Sequence, residues 1–107
     1  MSLDFSLRKV EEHEVYSRNI THNLTKMASE AGLYECLWHP FKNGYEKGSD
    51  IIDKLKEGLK LLRADRDKYQ KLNPENGWGD YYGFIAFVEG ILEAVEEHPD
   101  ARLCAHI

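Results

Sequence analysis

Val15-Tyr16-Ser17-Arg18-Asn19-Ile20-Thr21-His22-Asn23-Leu24 is the stretch in which the local pattern changes, and its reading decides the fold. Val15-Tyr16-Ser17 combines a β-branched and an aromatic residue, which is strand composition. From Ser17 or Asn19 onward the pattern reads as a helix, because either residue can cap free backbone N–H groups. Ile20, Leu24, Met27, Ala28, Ala31 and Tyr34 then recur at helical spacing and make one apolar stripe. The stripe fades at Trp38-His39-Pro40, where the proline disfavours helix for the residue before it. Gly32 inside the stripe costs about 1 kcal/mol relative to Ala, which a close helix contact would explain.

Upstream, Phe5, Leu7, Val10 and Val15 alternate partially with polar neighbours, a pattern that allows an early strand. At the other end, Leu103, Ala105 and Ile107 fall on one side of an alternating segment. A C-terminal strand paired with the N-terminal one would form a two-stranded ribbon, marginal without helices to support it.

Downstream of the first helix, Phe41 to Gly48 reads as a loop with Asn43-Gly44 as its turn. Ser49 or Asp50 caps a second helix that buries Ile51, Ile52, Leu55, Leu59 and Leu62 and turns Lys54, Lys56, Glu57 and Lys60 outward. A short charged helix over 65–72 follows and ends at Asn73-Pro74. The last helix starts at Gly79 or Asp80 and stops before Pro99. Its apolar face is Tyr81, Phe84, Ile85, Val88, Ile91, Leu92 and Val95. Gly83, Ala86, Gly90 and Ala94 gather on a second side, either for internal helix packing or as a homodimer seam. The expected fold is a single, mainly helical α+β domain with three longer helices and one short helix, plus a small ribbon made by the termini.

Composition bounds the function. At 107 residues the chain suits one domain. A hydrophobic share of 42% with 31% charged residues is that of an ordinary globular protein. No apolar run approaches the roughly 20 residues that span a bilayer. The first eight residues lack a signal-peptide pattern, so no membrane and a cytoplasmic location are expected. The net charge of −5 argues against nucleic acid as the main partner, since phosphate binding needs clustered cations. Cys36 and Cys104 fit no metal or redox spacing and read as reduced thiols.

Chemistry is concentrated at two polar helix starts. Arg18, Asn19, His22 and Asn23 surround the first, where free N–H groups and the helix dipole favour an anion. Asn76-Gly77-Trp78-Gly79-Asp80 leads into the last helix, with Tyr81 just inside it. Trp78 offers a flat face for a base or ring, and Asn76 offers polar edges. Should the two segments meet, Arg18, Asn19, His22, Asn23, Asn76, Trp78 and Tyr81 would line a cleft for a small anionic or nucleotide-like ligand. The bland alternatives are a simple cap at Asn19 and an indole that plugs the end of the core. Glu35 and His39 lie four apart on one helix face, but two ligands do not make a metal site. No nucleophile elbow or phosphate loop is present. A non-catalytic binding protein without cofactor or metal is therefore the leading expectation. A small interaction module, acting as a homodimer or on a host protein, is the alternative.

Asn19-Ile20-Thr21-His22-Asn23-Leu24, Glu30-Ala31-Gly32-Leu33-Tyr34-Glu35 and Asn76-Gly77-Trp78-Gly79 resemble a family of small uncharacterised proteins of bacteria and their phages. The resemblance runs from about Tyr16 onward. It implies a phage or mobile-element context, and no catalytic residue or ligand.

Overall fold

The computed structural model describes residues 2–9 and 13–107. Val10, assigned to the early strand by its alternation, lies outside them. Along β1 (Ser2–Arg8), Leu3, Phe5 and Leu7 alternate with polar residues, so all three project from one face and are fully buried. β1 is the middle strand of a three-stranded antiparallel sheet, ordered β2-β1-β3, with β2 at Glu14–Thr21 and β3 at Arg102–His106. Register follows from that alternation. Leu3, Phe5 and Leu7 stand opposite Ile20, Arg18 and Tyr16 of β2, and Phe5 and Leu7 stand opposite Ala105 and Leu103 of β3. These residues share the inner face. Asp4, Ser6, Ser17, Asn19, Cys104 and His106 share the outer one. Leu7 pairs with Tyr16 and Arg8 with Glu14, so Val15 is the extra residue of a bulge.

The architecture differs from the expected one. The sheet has three strands rather than a two-stranded ribbon. The expected first long helix, from Ser17 or Asn19 to the region of Trp38, does not exist as one element. Its beginning is strand β2, which continues through Asn19 to Thr21. The remainder is a single 3₁₀ turn (His22–Leu24) and two short helices, α1 (Thr25–Glu30) and α2 (Tyr34–Trp38). The break between them is Gly32, at φ 73°. Leu33 N donates to Ala28 O at 2.8 Å and Gly32 N to Ser29 O at 3.0 Å, which closes α1 with a left-handed C-terminal residue. No close contact explains Gly32, since a Cβ there would meet nothing within 4 Å. Gly58, by contrast, is closely packed: a Cβ there would fall 2.4 Å from Leu33 Cγ.

Among the described residues two helices are long, α3 (Ile52–Ala64, 13 residues) and α5 (Tyr81–Glu97, 17 residues). Asp50 does not cap α3. Its carboxylate accepts from Glu46 N at 2.9 Å and Lys47 N at 3.1 Å, closing the turn before the helix. α4 (Arg66–Gln70) is short and is capped by Asp65, which accepts from Lys68 N at 3.2 Å. α3 packs along α5, and α5 in turn lies against β2. Phe5, Leu55, Leu62, Phe84, Phe87 and Ile91 meet in one contiguous core. Each such large side chain contributes about 1.5–3 kcal/mol relative to exposure. The strand order places β2 at the margin of the sheet, beside the exit of α5's loop.

Candidate functional site

Between α4 and α5 the chain must turn without secondary structure, and polar side chains fix the turn. Gly77 N donates to Pro74 O at 3.2 Å, and Trp78 N donates to Asn76 Oδ1 at 3.0 Å. Tyr81 N donates to Asn73 Oδ1 at 2.8 Å. Asp80 caps α5, accepting from Gly83 N at 2.7 Å. Gly77 and Gly79 take φ of 77° and 93°, which side chains with a Cβ rarely adopt. The loop is thus held at both ends and in the middle. Its indole stands out of it: Trp78 is 70% exposed, and Tyr82 on the first turn of α5 is 57% exposed.

The two sequence segments come together in part. Gly79 sits against the end of β2, with Thr21 Cγ2 at 2.7 Å and Leu24 Cδ1 at 3.0 Å from the place a Cβ would take. Most of the expected ligand residues are nevertheless committed elsewhere. Arg18 and Asn19 are consecutive in a strand, so they face opposite sides of the sheet. Asn19 Nδ2 donates to Asp4 Oδ1 at 2.6 Å and Ser2 Oγ at 2.8 Å on the outer face. Arg18 lies on the inner side, near α5. Asn23 is exposed, and its backbone N–H is taken by Thr21 Oγ1 at 3.2 Å. Tyr81 turns inward, is 2% exposed and donates its hydroxyl to Leu62 O at 2.8 Å. Burial pushes its pKa up. Asn76 and Trp78 remain together in the loop.

His22 belongs to a cluster that sequence reading missed. Its Nδ1 accepts from Trp38 Nε1 at 2.8 Å, so the ring carries its proton on Nε2. Trp38 is buried and stacks on Tyr34 with ring centroids 5.7 Å apart. The Tyr34 hydroxyl lies 3.0 Å from His39 Nε2. Tyr34 and Trp38 are four apart in the sequence, on one helix face, and that spacing was the available signal. His39 is thereby engaged with Tyr34 rather than free to join Glu35. Among the described residues no three His, Cys, Asp or Glu side chains are grouped to hold a metal.

The small-residue side of α5 divides in two. Gly83 and Ala86 are exposed, whereas Gly90 is half-buried and Ala94 is buried. A Cβ on Gly90 would fall 2.6 Å from the Tyr16 hydroxyl, so this half of the stripe is packed under β2 of the same chain. A shallow hollow of about 420 Å³ opens beside α4, lined by Arg63, Asp65, Arg66, Asp67 and Tyr81. Arg63 is paired there with Glu89 of α5. Cys36 is buried, and burial pushes its thiol up to about 12, while Cys104 is half-exposed on the outer sheet face. No helix among the described residues is long and apolar enough to cross a membrane. Comparison with protein-family models, curated proteins and solved structures finds no match to this chain.

Proposed function

We propose that this chain is a non-catalytic binding domain whose contact surface is centred on Trp78 and whose partner is a protein. One observation carries the reading: a 70% exposed indole on a loop fixed by Asn73, Asn76 and Asp80. Leaving so much apolar surface in water is unfavourable, and a rigid presentation lowers the ordering cost of binding. Tryptophan is also the residue type most enriched among contacts that dominate protein interfaces. The indole projects rather than lining a hollow, and a projecting aromatic suits a partner that supplies the pocket.

A small anionic or nucleotide-like ligand has less in its favour. At the start of α5 the Gly83 N–H already donates to the Asp80 carboxylate and the Tyr81 N–H to Asn73 Oδ1, so side chains of the same chain fill the place of an anion. The turn at His22 has three residues and no extended dipole. The test is affinity capture from lysate, quantified for the wild type and Trp78→Ala at matched thermal stability. Proteins retained by the wild type and lost from the variant support the proposal. Equal retention by both overturns it, and quenching of Trp78 fluorescence by a nucleotide would favour the ligand reading instead.

A further inference from the structure

The seam between β2 and α5 holds a second feature, independent of the Trp78 surface. A notch of about 250 Å³ is lined by Tyr16, Arg18, Gly90, Glu93, Ala94 and Glu97. Its construction follows from two periodicities. Tyr16 and Arg18 are two apart in a strand and share the inner face; Gly90, Ala94 and Glu93, Glu97 are each four apart on the helix. The glycine and alanine keep the floor low, and the charged residues form the rim.

Three charges line this notch, Arg18 on the strand side and Glu93 and Glu97 on the helix side. Among the described residues, neither Arg18, Glu93 nor Glu97 forms an ion pair within 4 Å. Glu93 and Glu97, one turn apart, repel each other. The Tyr16 hydroxyl is shut away from water, and the Arg18 guanidinium beside it can only donate, so its O–H has no acceptor among the described residues. It rests against Gly90, and Arg18 Nη1 lies beside the same point, 3.9 Å from where a Gly90 Cβ would stand. A buried O–H without an acceptor is unfavourable and calls for one.

We infer that this notch binds a small zwitterion, a molecule bearing a carboxylate and an ammonium group a few bonds apart, as in a free α-amino acid. The carboxylate sits on Arg18, whose exposed side chain swings onto it and uncovers the Tyr16 hydroxyl, which then donates to the same group. The ammonium sits between Glu93 and Glu97 and removes their repulsion. A simple anion would face two carboxylates, and a simple cation would face the guanidinium. Only a ligand with both charges answers both walls.

The experiment is NMR titration of the full chain with L-alanine and L-glutamine, with propionate and propylamine as half-ligands. The amino acids are expected to shift the amides of Tyr16, Arg18, Gly90 and Glu93, and each half-ligand to bind at least about tenfold more weakly. Arg18→Gln and Glu93→Gln are each expected to weaken binding by about tenfold. Tyr16→Phe is expected to weaken binding while leaving the thermal midpoint unchanged or higher, since it removes a buried O–H that lacks an acceptor. That opposition separates a binding role from a structural one. No shift at ~10 mM amino acid, half-ligands that bind as well as the amino acids, or unaltered binding by Arg18→Gln would each overturn the inference.

Discussion

Gly79 rests directly on Thr21: a Cβ on the glycine would stand 2.7 Å from Thr21 Cγ2. This contact docks the Trp78 loop on the end of β2 and ties the display of the indole to the sheet. Gly79→Ala meets two penalties there, the clash and a φ of 93° that alanine rarely adopts. A loss of about 1–3 kcal/mol is expected, measured by urea denaturation. Adding Thr21→Ser should relieve the closest contact and leave both the backbone strain and the 3.0 Å approach to Leu24 Cδ1.

The bond from Trp38 to His22 gives a second prediction. His22→Ala removes the acceptor of a buried indole N–H. The expected cost is about 1–3 kcal/mol. His22→Gln, which restores an acceptor, should recover part of it.

The two thiols should differ sharply. Cys36 is buried with its pKa pushed up to about 12, so its reactive thiolate is a minute fraction at pH 8. Cys104 is half-exposed. Titration of the native chain with a disulfide reagent is expected to show one fast thiol, abolished by Cys104→Ser, and one that reacts only on unfolding.

Asp50 makes stability depend on acid. Backbone N–H groups of Glu46 and then Lys47 hold its carboxyl below the ordinary range. Its folded pKa is depressed, so its contribution is complete above the unfolded value of about 3.9 and is lost as pH falls through the folded one. Asp50→Asn should therefore lower the urea midpoint at pH 7, and the gap to the wild type should close as pH falls below that range.

How much of this was legible in the sequence depends on whether local chemistry or the sheet decided each element. The short helix α4 and the start of α5 were readable because Asp65 and Asp80 each accept from backbone N–H groups three residues on. The glycines and Asn76 around Trp78 mark it as loop-borne in the sequence, while its exposure follows only from the packing of the fold. β2 was not readable. Its inner-face set is Tyr16, Arg18 and Ile20, and a guanidinium among them hides the two-residue alternation. Ile20 and Leu24, four apart, imitate a helical stripe across what is the end of a strand. The charge is tolerated because β2 is a marginal strand and Arg18 remains exposed. The His22–Trp38 bond joins two separate elements, and no local spacing announces it.

Trp78 itself should be dispensable for folding. Its side chain is mostly in water, so Trp78→Ala is expected to change stability by no more than about 0.5 kcal/mol, measured by urea denaturation. That separation of folding from binding makes it the sharpest probe of the surface. The decisive measurement is the Kd of a purified captured protein for the wild type and for Trp78→Ala. A loss of at least about 30-fold with unaltered stability is the predicted result. Equal Kd values for the two proteins would contradict the account.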